Sequence, residues 1–157
     1  MSLGKVIFHI DVNSAFLSWE AVYRLHHLGW KGDLREQVSA VGGDMAMRHG
    51  IILAKSIPAK KYRIQTGESI LEAKQKCPNL ILVPPNYGLY ERCSKAFMGI
   101  LQEYSPVVEQ YSIDEAFVDM TGTELLWGTP VEVAEKMRRQ IKERLGFTVN
   151  IGISENK

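Results

Sequence analysis

The first predicted element is the continuous apolar run of residues 6–10 (VIFHI), which is typical of a strand buried on both faces of a sheet. The run ends at Asp11, and a helix is predicted over residues 15–28. Asn13 or Ser14 can cap this helix, because both side chains accept hydrogen bonds from free backbone N–H groups. The chain therefore begins with a strand, a carboxylate and a helix in immediate succession.

The rest of the chain alternates short strands and helices, separated by proline and glycine. Further strands are predicted over residues 38–41, 51–54, 80–83, 107–112, 115–120 and 147–153, and further helices over residues 58–62, 68–76, 89–104 and about 130–145, with a loop over 121–130. When residues 13–83 are set aside, the remaining order is strand, helix, strand, strand, helix, strand. This order predicts an α+β fold, with a ferredoxin-like βαββαβ domain over residues 1–12 and 84–157 and an inserted small α/β subdomain over residues 13–83.

The segment Ser112-Ile113-Asp114-Glu115 places two adjacent carboxylates where the predicted hairpin turns. In a ferredoxin-like sheet the strand order is 4-1-3-2 with antiparallel neighbours, so the end of the first strand, at Asp11, lies beside the start of the third. Three carboxylates at one end of a sheet repel each other unless a cation lies between them. Oxygen-only ligands suit Mg²⁺, and two ions about 4 Å apart can share such a set. A solvated turn is the alternative, since aspartate is common in turns.

The residues that follow Asp11 suggest where a phosphate chain would bind. A helix that begins there leaves backbone N–H groups unpaired at its N-terminus, which favours an anion. The candidate nucleotide-binding residues in this first turn are Asn13, Ser14, Ala15 and Phe16. Phosphoryl transfer needs a divalent metal, a helix N-terminus and nearby Lys or Arg, because it depends mainly on positioning and charge.

Composition narrows the class of protein but does not identify a partner. The 157 residues are 45% hydrophobic and 24% charged, which is ordinary for a globular protein, and the net charge is only +1. No apolar run approaches the roughly 20 residues of a membrane helix, so no membrane partner is expected. The two cysteines, Cys77 and Cys93, have no disulfide-framework or metal-site spacing, which favours a reducing, cytoplasmic location.

Charge is unevenly distributed along the chain. Residues 48–76 carry seven Lys or Arg and two acids, whereas the rest of the chain is net negative. A basic segment beside an acidic remainder fits polyanion binding in one region and cation binding in another, although a solvated helical surface would have the same composition.

Three motifs stand out along the chain: FHIDVNSAFLSWE near the start, YSIDEAFVDMT in the middle and VNIGISENK at the end. They resemble those of the Y-family translesion DNA polymerases of the DinB/UmuC type, also described as impB/mucB/samB-like. The resemblance covers nearly the whole chain in matching order and spacing. It implies damage-bypass synthesis during DNA repair, in which a DNA-directed DNA polymerase transfers a nucleotide from a dNTP to a primer 3′-hydroxyl.

The resemblance also assigns roles to individual residues. It implies that the ferredoxin-like domain is a catalytic palm and the insertion a fingers domain. Asp11, Asp114 and Glu115 match the metal-binding carboxylates, with the backbone carbonyl of Val12 as a further ligand. The implied roles in nucleotide binding are a steric gate against the sugar 2′-hydroxyl for Phe16 and a triphosphate contact for Lys60. The implied partners are Mg²⁺ or Mn²⁺, an incoming dNTP, damaged or undamaged template-primer DNA, and a sliding clamp bound through a C-terminal region.

The sequence departs from the family pattern at several positions. Many members carry an acid where this chain has Asn13, and a tyrosine where it has Ile57. Lys60 replaces an arginine, which is closer to the UmuC-like branch. Members of the family are more than twice this length, with a thumb and a little finger after the palm, so the chain is expected to be a fragment that extends primers poorly.

Two other functions use the same fold. A nucleotide cyclase of the GGDEF type would carry its Gly-Gly pair in the hairpin, whereas here the run Gly42-Gly43-Asp44 lies in another element. An RNA-recognition module without chemistry would stack bases on exposed aromatic residues of the central strands, where this sequence places acids near the strand end. Neither alternative accounts for the acidic turn as well as a metal-dependent polymerase does.

Overall fold

The computed structural model describes residues 4–43 and 50–155. The strands are β1 (Ile7–Val12), β2 (Ser39–Gly42), β3 (Ile52–Lys55), β4 (Ile81–Val83), β5 (Val108–Ser112), β6 (Glu115–Asp119) and β7 (Val149–Ser154). The α-helices are α1 (Ala15–His27), α2 (Ile70–Lys76), α3 (Tyr87–Tyr104), α4 (Glu124–Trp127) and α5 (Pro130–Leu145), with 3-10 helices at Leu34–Glu36 and Pro58–Tyr62. Contacts divide the chain into two compact units, one formed by Met1–Asn13 with Tyr90–Lys157 and the other by Ser14–Leu89.

The first unit is built on an antiparallel sheet of four strands in the order β5-β6-β1-β7. With β1, β5, β6 and β7 taken as the first to fourth strands, this is the order 4-1-3-2 read from the other edge. The ferredoxin-like fold class predicted from the sequence is therefore confirmed. Because β1 is central and antiparallel to β6, its C-terminal end lies beside the start of β6.

The two faces of this sheet differ, as the alternation of side chains along β1 shows. Phe8, Ile10 and Val12 are buried on one face, whereas His9 and Asp11 lie half-buried on the other. Helices α3 and α5 contribute further buried side chains to this unit, and the rings of Phe97 and Phe147 contact each other edge-on. Burial on one face leaves the other available for polar chemistry.

The second unit has its own three-stranded sheet in the order β3-β2-β4, with β3 antiparallel and β4 parallel to β2. Two buried clusters stabilise it. One consists of Ala40, Ile52, Ala59, Ile64, Ala73, Cys77 and Leu80, and the other of Leu17, Ala21, Leu34, Val41, Ala54 and Val83. The unit therefore has its own apolar core, although its strands are only three or four residues long.

Two details of the predicted secondary structure were wrong. The side chain of Ser14 does not cap α1, because the Ser14 backbone is left-handed (φ 43°) and a capping side chain needs an extended backbone. Residues 121–130 are not entirely a loop, because α4 forms there, with the Trp127 indole donating to the carbonyl of Tyr104. The six-residue stretch after Gly43, which includes Asp44, lies outside the described residues.

The helices give no indication of a membrane-spanning segment. Within residues 4–43 and 50–155, none combines the length and apolar character needed to cross a bilayer.

A hydrogen-bonded loop in the second unit leads to a prediction about pH. The Lys76 ammonium donates both to Glu68 (2.7 Å) and to the carbonyl of Arg63 (2.8 Å), and the N–H of Gln65 donates to the same carboxylate. The hydrogen bond from Lys76 is the main reason that the pKa of Glu68 lies below its ordinary value of 4.5. A lowered pKa means that this carboxylate stabilises the fold at neutral pH and ceases to do so as pH falls through the lowered value.

We therefore expect Glu68→Gln to be less stable than the wild type at pH 7, and the difference to shrink as pH falls below about 4.5. Urea unfolding followed between pH 7 and pH 3 measures it. The matched control is Glu72→Gln on helix α2, since Glu72 is exposed and makes no ion pair within the described residues. A difference between the Glu68→Gln variant and the wild type that stayed constant with pH would contradict the assignment.

Candidate metal and nucleotide site

The pairing of β1 with β6 brings the predicted carboxylates to one end of the sheet. Asp11 lies directly opposite Glu115 in the antiparallel register. Asp114 precedes Glu115 in the turn, and its carbonyl accepts a hydrogen bond from the N–H of Val12 at 2.9 Å. All three acids are half-buried. Residues that are 103 positions apart in sequence therefore lie next to each other, as the ferredoxin-like plan predicts.

The Asp114 carboxylate is oriented from within the turn. The Ser112 hydroxyl donates to Oδ1 of Asp114 at 2.9 Å. This bond uses one of several lone pairs, so the carboxylate keeps oxygens available for another ligand.

The carbonyl of Val12 points toward the same turn. The N–H of Asn13 donates to the carbonyl of Thr148 at 3.0 Å, on the β7 side of β1. Because the peptide between Val12 and Asn13 is planar and trans, its carbonyl points the opposite way, toward β6. The backbone oxygen that the family resemblance implies as a metal ligand thus lies on the side of Asp114 and Glu115.

The side chain of Asn13 is held by Thr148, which precedes β7, and by Asn150 within β7. Its Nδ2 donates to Oγ1 of Thr148 at 2.8 Å, and its Oδ1 accepts from Nδ2 of Asn150 at 2.6 Å. The side chain is thus engaged away from the helix N–H groups, which is why it does not cap α1. Asn150 itself lies opposite Asp11, so Glu115, Asp11 and Asn150 form a row across three strands.

The charges at this end of the sheet are not balanced by basic side chains. Within the described residues, no Lys or Arg forms an ion pair with Asp11, Asp114 or Glu115. Over the same residues, no group of three or more His, Cys, Asp or Glu side chains is close enough to hold a metal ion. The candidate ligands nevertheless fit a hard divalent cation, because all of them are oxygens. Asp11 and Glu115 are paired across the two strands, and the Val12 carbonyl points to the same side.

A row of aromatic side chains lies on the same sheet face and was missed by the sequence analysis. The ring centroids of His9 and Phe117, which are paired across β1 and β6, are 5.0 Å apart. Tyr111, which is 68% exposed, meets Phe117 edge-on at 5.8 Å. In the sequence, the spacing of two places His9 with Asp11 on one face of β1, and Phe117 with Glu115 on one face of β6. The strand register is needed to show that His9 and Phe117 then lie side by side.

The remaining candidates lie in the second unit. Ser14 is exposed, Ala15 is buried and Phe16 is half-buried, with its ring 6.2 Å from the rings of both Trp19 and Tyr87. Phe16 also packs against the apolar cluster around Leu17 and Val41. The side chain is therefore partly a core residue, and its role as a steric gate stays a prediction.

Lys60 is exposed at the end of the 3-10 helix Pro58–Tyr62, beside Lys61 and Arg63. Within the described residues these three cations form no ion pair, whereas Lys76 pairs with Glu68. Lys74 donates to the carbonyl of Leu80. The basic segment predicted from the sequence thus contains lysines that hold the fold together (Lys74 and Lys76) and cations that form no ion pair within the described residues. Its first member, Arg48, lies outside the described residues. Ile57, in place of the family tyrosine, is 73% exposed.

Comparison with curated proteins finds close relatives. The chain is 50% identical over 155 residues to the DNA polymerase IV of Clostridium acetobutylicum. The matched residues make up 99% of this chain and 39% of that protein. It is 40% identical over 155 residues to the DNA polymerase IV of Acetivibrio thermocellus, covering 99% and 37% respectively. The chain thus spans about two fifths of the length of these relatives.

Solved structures give the same result for the fold. DinB from Sulfolobus solfataricus superposes with a TM-score of 0.81 and 26% identity, over 97% of this chain and 42% of that one. An insertion ternary complex of Dbh DNA polymerase has the same TM-score and identity, over 97% and 43%. These likenesses confirm the resemblance to Y-family polymerases that the three sequence motifs predicted.

The model of the impB/mucB/samB family matches residues 10–157, a range that contains Asp11, Asp114 and Glu115 and most of both sheets. On this evidence the chain belongs to the impB/mucB/samB family.

Proposed function

We propose that this chain forms the palm and fingers of a translesion DNA polymerase, with the first unit as the palm and the second as the fingers. The reaction is nucleotidyl transfer from a dNTP to the 3′-hydroxyl of a primer. The observation that carries the proposal is the pairing of Asp11 with Glu115 beside Asp114, three half-buried acids with no basic partner among the described residues.

In this proposal Asp11, Asp114, Glu115 and the carbonyl of Val12 hold the metal. Side chains directly opposite each other in an antiparallel pair have Cβ atoms about 5 Å apart, so rotation about side-chain bonds is enough to bring Asp11 and Glu115 to one ion. Mg²⁺, as one or two ions, would neutralise the triphosphate and lower the pKa of the primer hydroxyl when bound. The hydrogen bond from the Ser112 hydroxyl restrains the Asp114 carboxylate within the turn.

Nucleotide binding in this proposal uses the start of α1 and one exposed lysine of the second unit. The backbone of Ser14, Ala15 and Phe16 provides N–H groups for the phosphates, and the exposed Lys60 provides charge. Phe16 excludes the 2′-hydroxyl of a ribonucleotide. Asn13, which the sequence analysis also named, supplies no N–H group here, because its backbone N–H donates to the carbonyl of Thr148 and its side chain is bound to Thr148 and Asn150.

The proposed partners follow from the same assignment. They are a damaged or undamaged template-primer and an incoming dNTP, in the cytoplasm, with a sliding clamp contacted through further family domains. The clamp is the partner that the family resemblance implies.

The direct test is calorimetric titration of the chain with a dNTP, in Mg²⁺ and again in EDTA, followed by analysis of the nucleotide recovered. We expect binding in Mg²⁺, no binding in EDTA, and an unchanged nucleotide. Equal binding in EDTA would contradict the proposal, and recovery of a cyclic nucleotide would favour a cyclase.

The aromatic row of His9, Phe117 and Tyr111 favours a second candidate function, the binding of single-stranded nucleic acid without chemistry. Exposed aromatics on central strands stack bases in other modules of this plan. The acids on the same face oppose this function, because they repel phosphates unless a cation is bound. Binding of a short oligonucleotide that needed no metal would support it.

A further inference from the structure

Three consecutive carbonyls of the acidic turn are each held by a different part of the first unit. The Ser112 carbonyl accepts from Nε2 of Gln110 (3.1 Å) and the Ile113 carbonyl from the hydroxyl of Ser94 (2.5 Å). The Asp114 carbonyl accepts from the N–H of Val12 (2.9 Å). The turn is thus held by a β5 side chain, an α3 side chain and the β1 backbone.

Ser94 is central to this arrangement. It is buried on α3 with 3% of its surface exposed, and its hydroxyl also accepts a hydrogen bond from Nε2 of Gln110 at 3.2 Å. A serine hydroxyl has a single donor, and here that donor is committed to the carbonyl immediately before Asp114. Gln110 and Ser94 therefore form one connected pair that links helix α3 to the turn.

The strand ladder is interrupted just before this turn. The pairing of β5 with β6 shifts register between Gln110 and Ser112, so Tyr111 forms a bulge just before the turn. A bulge interrupts the ladder and lets the strand bend locally. The hydrogen bonds from Gln110 and Ser94 act where the ladder is interrupted, on the two carbonyls that precede Asp114.

We propose that Ser94 and Gln110 are positioning residues, which fix the acidic turn so that Asp114 lies where it binds the metal with Asp11 and Glu115. This inference rests on the proposed function. It assigns no contact between either residue and a substrate. Groups that orient metal ligands without touching the metal are worth about 10–100-fold in metal affinity, which sets the expected effect.

The surroundings of Ser94 suggest which substitutions can test its role. A groove of about 350 Å³ lies beside it, lined also by Met98, Gln102, Gln110 and Ile113. Ser94→Thr keeps the hydroxyl and adds only one methyl group beside this groove. Gln102 is exposed on the same helix and lines the same groove but makes no hydrogen bond to the turn, so Gln102→Ala is the matched control.

The experiment is Mn²⁺ binding by the 157-residue chain, read from the electron paramagnetic resonance signal of free Mn²⁺, with thermal unfolding of each variant in EDTA. We expect Ser94→Ala and Gln110→Ala to weaken Mn²⁺ binding about tenfold. We expect Ser94→Thr and Gln102→Ala to bind as the wild type does, and all four variants to remain folded. Gln110 is exposed, so Gln110→Ala decides the matter if Ser94→Ala fails to fold.

The possible failures are distinguishable. If the wild type binds Mn²⁺ and both alanine variants bind it equally well, the inference is overturned and the proposed function stands. If Ser94→Ala and Ser94→Thr lose affinity alike while Gln110→Ala does not, the role of Ser94 is packing and the inference is also overturned. If the wild type itself binds no Mn²⁺, the proposed function fails and the inference fails with it.

Discussion

Asp11→Asn and Asp114→Asn are each expected to reduce metal-dependent dNTP binding by more than about 100-fold. Asparagine keeps the shape of the side chain but removes the negative charge that attracts a hard cation. The effect should exceed that of groups that merely support a ligand, which are worth about 10–100-fold, because these acids are the proposed ligands themselves. Isothermal titration with a dNTP in Mg²⁺ measures it directly.

Asp119→Asn is the control for these variants, since Asp119 lies at the far end of β6 and its carboxylate accepts from the N–H of Thr121. Asparagine retains an oxygen for that bond, so metal-dependent binding should be unchanged. The assignment would be contradicted if all three variants lost binding to the same extent, because a general loss of charge or stability would then explain the result.

Phe16→Ala is expected to lower the preference of the chain for a dNTP over the matching ribonucleotide by about tenfold. A packed aromatic ring excludes an added hydroxyl through overpacking, which costs about 1–3 kcal/mol, and removing the ring removes that cost. Competition binding in Mg²⁺, with one labelled dNTP and its unlabelled ribonucleotide counterpart, measures the preference for each variant.

Phe16→Tyr is the matched variant, because it keeps the ring that contacts Trp19 and Tyr87 and should keep the preference. Circular dichroism of Phe16→Ala checks that the apolar cluster around Leu17 remains folded. A folded Phe16→Ala that discriminated as the wild type does would leave Phe16 as a packing residue only.

The fold of the first unit could be predicted because its strong signals are local. The apolar run that precedes Asp11 and the alternating pattern around Ala116 and Val118 each define a strand, and their order fixes the topology. Once the topology is known, the register that pairs Asp11 with Glu115 follows from the shared position of the two acids at strand ends. The carboxylate end of the sheet was therefore predictable.

Other features depend on contacts between residues far apart in sequence. The hydrogen bond from Ser94 to Ile113 joins a helix to a turn 19 residues later, and nothing in the local pattern of α3 distinguishes this serine. The left-handed backbone of Ser14 is likewise set by tertiary structure, since serine at that position favours an ordinary cap. The aromatic row on the sheet was missed because it requires the register of three strands.

The most direct measurement of the central claim is a crystal structure of the chain with Mn²⁺ in place of Mg²⁺ and a bound dNTP. Anomalous scattering locates the metal independently of the nucleotide. We expect an anomalous peak about 2.1 Å from carboxylate oxygens of Asp11 and of Asp114 or Glu115, the spacing typical of small hard cations, with the triphosphate bound to it. A nucleotide bound elsewhere, or a metal that contacted none of these three acids, would contradict the claim.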